Sequence, residues 1–358
     1  MKILQVITSL HIGGAERLIS EMVPLFCEDG YQVDVLLFDG EDTPFKKKLQ
    51  ESGIKVYQFG NRCSVYNPLF IIKLIPFFKR YDIIHTHNTA CQYFVAFAKL
   101  FLETKVRLVT TEHSITNRRR EIAWFKPIDK FIYRQYDAII SVSDKTTESL
   151  NTYIGKNTII STIFNGINLS LFQHAISLKM KGVVLKDVVY IITMIAGFRD
   201  EKDQDTLIRS LVYLPVEYGL CLVGDGIRRS ISEALSNELH LQDRVCFLGI
   251  RDDIPEILKA SDVVVMSSHA EAFGLAALEG MAAGKPVIAS DIPGLAEVVR
   301  GAGVLFPKGD EKHLASEIEH LMNDQDYYQQ ISFQCSKRAM EYDIQKSITK
   351  YENIWQSL

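Results

Sequence analysis

Short runs rich in Val, Ile and Leu alternate along the chain with longer stretches whose apolar residues recur every three to four positions. In the first half the apolar runs are 3–8, 32–38, 55–58, 83–85, 107–111, 138–142 and 158–163. Their near-continuous apolar character predicts strands buried on both faces, as in a parallel sheet. Stretches with helical spacing lie between them at 15–28, 45–51, 69–79, 92–101 and 129–136. Strand–helix–strand alternation of this kind predicts a doubly wound α/β domain. Residues 169–187 show no clear period and read as a connection. The alternation then restarts, with strands at 188–196, 218–223, 245–248, 263–266 and 286–289 and helices at 204–214, 227–239, 254–260 and 275–283. A helical pattern over 344–358 ends the sequence. The fold class is therefore α/β, with two Rossmann-like doubly wound domains facing a cleft. The loops after the strands are expected to hold the chemistry, because open α/β sheets bind ligands at their carboxyl ends.

Composition supports this picture and narrows the function. The chain has 358 residues, 47% hydrophobic and 23% charged, which excludes wholesale disorder, collagen-like repeats and a small disulfide scaffold. A net charge of −4 argues against nucleic acid as a partner. The half up to Asn168 carries a small excess of cations and the rest an excess of carboxylates, so the halves are suited to different partners. The six cysteines are far apart and form no CxxC pair, which suggests neither zinc nor disulfides. The N-terminus runs directly into an apolar strand, and no apolar run reaches the roughly 18 residues of a spanning helix. A cytoplasmic protein is expected. One stretch mixes cations with aromatics: Arg118, Arg119, Arg120, Trp124, Phe125, Lys126, Lys130 and Arg134. That mixture suits peripheral contact with an anionic membrane at its inner face, against the alternative of a solvated helix face.

The unusual residues cluster in the loops. His11-Ile12-Gly13-Gly14-Ala15-Glu16 follows the first strand, and its paired glycines would let backbone N–H groups approach a phosphate. A plain tight turn is the alternative. His85-Thr86-His87 ends the fourth predicted strand and His113 follows the fifth. No third ligand at metal-binding spacing accompanies the HxH pair, so no metal is expected, and the position of His113 favours a site role. In the second half, Arg199 and Lys202 follow a buried strand and are natural cations for a diphosphate. Gly224 reads either as part of a tight turn or as a point of close approach to a nucleotide. The strongest element is Glu271-Ala272-Phe273-Gly274-Leu275-Ala276-Ala277-Leu278-Glu279. Here Gly274 opens a helix whose N–H groups can hold an anion, and two carboxylates eight apart can each accept from hydroxyls of a ribose or sugar. Glu279 lies among apolar residues and needs a partner.

Residues 196–307 resemble the retaining glycosyltransferases of family 4, which have the GT-B fold. The resemblance rests on Arg251-Asp252-Asp253-Ile254-Pro255, on Glu271 to Glu279, on Met281-Ala282-Ala283-Gly284-Lys285-Pro286 and on Gly294-Leu295-Ala296-Glu297. The first half is similar more loosely, through Gly13-Gly14-Ala15-Glu16, Asp82 to His87, His113 and Asn165-Gly166-Ile167-Asn168. The resemblance implies a bacterial polysaccharide-type enzyme that moves a sugar, with retention, from a nucleotide-diphosphate sugar to a glycan or lipid-linked acceptor. It implies no cofactor and no tightly bound metal. Glu279 would grip the ribose and Glu271 a hydroxyl of the sugar. Backbone groups of Phe273, Gly274 and Leu275 would hold sugar and phosphate, Lys202 and Arg199 the diphosphate, and Gly13 and Gly14 would approach it from the other domain. His113 would sit near the sugar. The implied organisation is 1–168 as an acceptor-side domain, 169–340 as a donor domain and 341–358 as a helix returning to the first. One position departs from the family: Gly197 stands where Arg is usual, and Arg199 comes two residues later. A nucleotide-sugar epimerase on the same fold is the alternative. A dehydrogenase is disfavoured, because no GxGxxG follows either domain's first strand.

Overall fold

The computed structural model describes the whole chain except residues 12, 63, 116–118, 121, 156–159, 181–184, 186 and 187. It separates into two compact units, Met1–Gly166 with Ile344–Leu358, and Ile167–Asp343.

In the first unit the strands are β1 (Lys2–Ile7), β2 (Gln32–Asp39), β3 (Val56–Gly60), β4 (Ile83–Thr86), β5 (Arg107–Glu112), β6 (Ala138–Ser141) and β7 (Ile160–Thr162). Its helices are α1 (Gly14–Glu28), α2 (Pro44–Glu51), α3 (Leu69–Leu74), α4 (Thr89–Leu100), α5 (Phe125–Tyr133) and α6 (Asp144–Ile154). The strands form one parallel sheet in the order β3-β2-β1-β4-β5-β6-β7. Alternate residues of β1 enter opposite cores. Leu4 and Val6 pack with Phe38, Val95 and Ile132 on one face, and Ile3 and Ile7 pack with Met22, Phe26 and Trp355 on the other. Burial on both faces is why these strands read as continuous apolar runs.

The second unit contains α7 (Leu169–Gln173), β8 (Tyr190–Ile195), α8 (Gln204–Ser210), β9 (Tyr218–Val223), α9 (Arg229–Glu238), β10 (Val245–Gly249), α10 (Ile254–Ala260), β11 (Val263–Met266), α11 (Leu275–Ala282), β12 (Val287–Ser290), α12 (Leu295–Val299), β13 (Val304–Phe306), α13 (Glu311–Asn323) and α14 (Gln325–Glu341). Its sheet is also parallel, in the order β10-β9-β8-β11-β12-β13. Residues 169–187, which lack a period in the sequence, belong to this unit, with Phe172, Met180 and Leu185 buried. The last helix, α15 (Ile344–Ser357), belongs to the first unit, where Trp355 lies 4.5 Å from the ring of Phe26.

Apolar periodicity predicts no helix at 144–154 or between 290 and 343. Helix α6 starts on a Ser143 cap and buries only Thr146, Leu150 and Ile154. Helix α14 buries only Ile331, Cys335 and Ala339. A single buried row, one residue at every fourth position with only one or two large apolar members, leaves little periodic signal.

Candidate functional site

Strand order reverses in both sheets at a central pair, β1 beside β4 and β8 beside β11. Loops following the strands at such a switch point are the expected ligand sites.

In the second unit the loops after β8 and β11 are fastened together. Ser267 Oγ donates to the Asp203 carbonyl at 2.7 Å, and the His269 N–H donates to the Glu201 carbonyl at 2.8 Å. His269 Nε2 also lies 3.3 Å from the Asp203 carboxylate. That carboxyl caps α8 by accepting from the Thr206 N–H, and burial pushes its pKa upward. These braces bring Lys202 of one loop onto Glu271 of the other, as an ion pair with both side chains mostly buried. Nothing in the sequence singles out Ser267, His269 or Asp203, because nothing there marks the distant loops as partners.

The Arg199 side chain folds back beside Gly197, where a Cβ would lie 3.4 Å from its Nε and 3.6 Å from its Nη2, at ordinary van der Waals contact. It remains more than half exposed, 3.5 Å from Glu201. Gly224, at φ +133°, faces the Ala196 carbonyl so closely that no side chain fits, and its N–H donates to the Gly249 carbonyl at 2.8 Å. Loop-to-loop packing accounts for the missing side chain at this position.

Helix α11 rests directly on β11, because a side chain at Gly280 would collide with Val264. Its N-cap is Gly274 in the left-handed conformation, with no side-chain cap. The N–H groups of Leu275 and Ala276 are therefore available to an anion, whereas the Ala277 N–H already donates to the Gly274 carbonyl at 3.0 Å. Phe273 turns its ring inward, 5.5 Å from Tyr342, so only its backbone can serve a ligand. Glu279 is buried within α11, 4% exposed, and has an interaction partner.

In the first unit Gly13 caps α1 with an extended backbone. The Glu16 carboxylate curls back against Gly13, as a third-position Glu does in a capping box. An anion approaching Gly13 and Gly14 must displace it. Asn88, after β4, accepts from Thr8 N–H at 3.0 Å and joins the loops that follow β1 and β4.

The histidines form a buried layer on the α15 side of this sheet. His85 and His87 stack at 4.4 Å. His85 Nε2 meets Thr111 Oγ1 at 2.8 Å, His87 Nε2 meets Gln5 Oε1 at 2.6 Å, and His87 Nδ1 meets His113 Nε2 at 3.0 Å. Three of the four HxH nitrogens are thus engaged by protein groups, while His85 Nδ1 is buried with no hydrogen-bond partner among the described residues. Burial lowers all three pKa values, His85 to about 3, His113 to about 4 and His87 well below the usual range. Among the described residues the set with metal-ligating separations is instead His11, Asp39 and Glu41, whose ligand atoms lie within 4.8 Å of one another. Arg62 pairs there with Glu41 at 2.8 Å.

The basic stretch does not present its arginines as expected. Arg118 lies outside the described residues. Arg119 pairs at 2.9 Å with Asp129, which is fully buried, and Arg120 pairs at 2.7 Å with Glu112. Both cations turn inward because carboxylates eight and ten residues away in sequence fold beneath them. Exposed on and beside α5 are Trp124, Lys126, Ile128, Phe131 and Arg134. No helix among the described residues is long and apolar enough to cross a membrane.

Residues 12–171 match the family described as Glycosyltransferase Family 4, and residues 178–338 match Glycosyl transferases group 1. The chain is 28% identical over 286 residues to the N-acetyl-alpha-D-glucosaminyl L-malate synthase of Bacillus anthracis, covering 76% of this chain and 74% of that one. It is 28% identical over 284 residues to the UDP-Gal:alpha-D-GlcNAc-diphosphoundecaprenol alpha-1,3-galactosyltransferase of Escherichia coli, covering 74% and 73%. The crystal structure of Anabaena Alr3699/HepE in complex with UDP-glucose superposes with a TM-score of 0.87 over all of both chains, at 24% identity. That likeness establishes the GT-B fold.

Proposed function

The chain belongs to the glycosyltransferases that join a family 4 domain to a group 1 domain, and from that premise we propose that it transfers a sugar, with retention of configuration, from a nucleotide-diphosphate sugar to a glycan or lipid-linked acceptor in cell-surface polysaccharide synthesis. The observation that carries this reading is the contact of Lys202 with Glu271 at the sheet's switch point, ahead of the uncapped start of α11. A cation, a hydroxyl-accepting carboxylate and free helix N–H groups are what a sugar diphosphate requires.

In this reading the diphosphate takes Lys202 from Glu271, which frees the carboxylate to accept from a sugar hydroxyl. Glu279 accepts from the ribose hydroxyls. The N–H groups of Phe273, Gly274 and Leu275 hold the sugar and phosphate. Arg199 supplies, from the space over Gly197, the second charge on the leaving group. Gly13 and Gly14 reach the diphosphate once Glu16 swings aside, and His113 faces the sugar. The bond between the anomeric carbon and the diphosphate oxygen breaks as the acceptor oxygen bonds to that carbon from the same side. The acceptor's proton passes to the departing phosphate oxygen. Fixed cations stabilise the charge that grows there, so no metal is needed. The names of the relatives suggest uridine diphosphate sugars as the first donors to try. Screening nucleotide sugars for slow hydrolysis and for transfer, with the product anomer read by NMR, tests the proposal. Turnover with inversion, or none with any nucleotide sugar, overturns it.

A further inference from the structure

Gln5 is an anomaly in its strand. It lies between Ile3 and Ile7, on the face of β1 that packs against Met22, Phe26 and Trp355, and it is 3% exposed. A buried amide on an apolar face is costly unless it is hydrogen-bonded. Register places it beside His85 of β4, and two residues on, His87 extends over the same face and meets it.

The direction of each bond in this chain follows from its first member. Gln5 Oε1 can only accept, so His87 Nε2 carries the hydrogen of the 2.6 Å bond. A neutral imidazole has one N–H, so His87 Nδ1 is a bare acceptor. The 3.0 Å contact with His113 is then a bond donated by His113 Nε2. His113, also neutral, is left with an unprotonated Nδ1. That nitrogen is buried and has no hydrogen-bond partner among the described residues.

We infer that Gln5, acting through His87, fixes the proton of His113 on Nε2, so that Nδ1 is held as an acceptor for a hydroxyl of the substrate sugar. Gln5 and His87 are positioning residues, and only His113 meets the ligand. The inference rests on the reading above in which His113 faces the sugar. The lowered pKa of His113 agrees with it, since a second proton on the ring would remove the acceptor.

The test uses the full chain labelled with 15N at histidine, with His113 assigned by its loss in His113→Gln. Two-bond 15N–1H correlations report which ring nitrogen is protonated, with no substrate present. The wild type is expected to show His113 protonated on Nε2. Gln5→Met, close in size but a poor acceptor, is expected to mix the two tautomers and lower donor kcat/KM about three- to tenfold, the range for one neutral hydrogen bond. Gln5→Glu, whose carboxylate favours a second proton on His87 and so makes His87 Nδ1 a donor, is expected to move the His113 proton to Nδ1 and to lower kcat/KM as well. Proton placement on Nδ1 in the wild type, or an unmoved tautomer in folded Gln5→Met, overturns the inference. A mixed tautomer with unchanged kcat/KM overturns the role in sugar recognition. Failure of the glycosyl-transfer reading looks different: the wild type then turns over no nucleotide sugar.

Discussion

The two sheets share a strand order up to the sixth strand, yet their switch points carry opposite chemistry. In the second unit the loops after the central strands hold charge, with Lys202 against Glu271, Arg199 folded over Gly197 and bare N–H groups at α11. In the first unit the corresponding region holds neutral rings, with Gln5, His87 and His113 joined by uncharged hydrogen bonds and His85 stacked on His87, under an apolar helix layer. A common topology thus sets where ligands meet the sheet, while the side chains decide what is met. In the reaction proposed above, one unit neutralises a charged group and the other orients a neutral one.

The sharpest way to break this contrast is to remove charge from the second unit. Lys202→Ala should lower kcat about 10²–10³-fold, the scale for one preorganised charge stabiliser, while EDTA leaves wild-type turnover nearly unchanged. Near-normal kcat in the variant, or loss of wild-type activity with EDTA, would show that the fixed cation is not the stabiliser.

Glu279→Gln keeps the shape and removes the carboxylate charge. Donor affinity measured by calorimetry should fall about tenfold or more, since charged hydrogen bonds contribute ~1.5–3 kcal/mol. Unaltered affinity would make the residue purely structural.

Arg199→Ala should reduce kcat about tenfold. Gly197→Arg alone should also be harmful, because the new side chain enters the space of the Arg199 guanidinium. The double variant Gly197→Arg with Arg199→Ala should recover activity relative to either single change. If it does not, Arg199 does not act from the position it occupies over Gly197.

The converse operation adds charge to the first unit, by acid. The folded-state values of about 3 for His85 and about 4 for His113 lie below the free value of 6.5. Between these limits the unfolded chain binds the extra protons. The stability present above about pH 6.5 is therefore lost as pH falls toward 4, by up to about 1.4 kcal/mol per pH unit for each histidine. Urea titrations across this range should show it, and His85→Gln should flatten the slope. An equal slope in that variant would remove His85 from the account.

The smallest effect concerns lipid. With Arg119 and Arg120 turned inward, the surface suited to an anionic membrane is the exposed set Trp124, Lys126, Ile128, Phe131 and Arg134. Replacing Trp124 and Phe131 with Glu should lower flotation with phosphatidylserine vesicles several-fold. No wild-type flotation, or none lost in the variant, would leave this a solvated face.

How far the sequence discloses this arrangement depends on the range of the interaction. Strands buried on both faces announce themselves residue by residue, as 32–38 and 218–223 do. The run from Glu271 to Glu279 is legible because one loop and one helix contain it. The partner of Gln5 is 82 residues away, so in sequence the residue is only a polar interruption of a strand. Arg119 and Arg120 look like solvent-facing cations until Asp129 and Glu112 fold under them. The absence of Arg at 197 is plain in the sequence, but the return of the Arg199 side chain to lie beside that glycine is a matter of three-dimensional packing.

The return of α15 to the first unit has a consequence for synthesis. The chain leaves that unit at Gly166 and re-enters it at Ile344, beside a bridge between Ile167 and Asp343. Tyr351 and Trp355 complete the apolar layer over Phe26 and the histidines. Everything the second unit needs is therefore translated before the first unit has its last helix, although the first unit leaves the ribosome earlier. Domains generally fold as units during synthesis, the N-terminal one first. In this protein the order of closure is reversed. The early-made half waits with its α1 face uncovered until Ile344–Ser357 emerges, and loss of that helix damages the half that was made first.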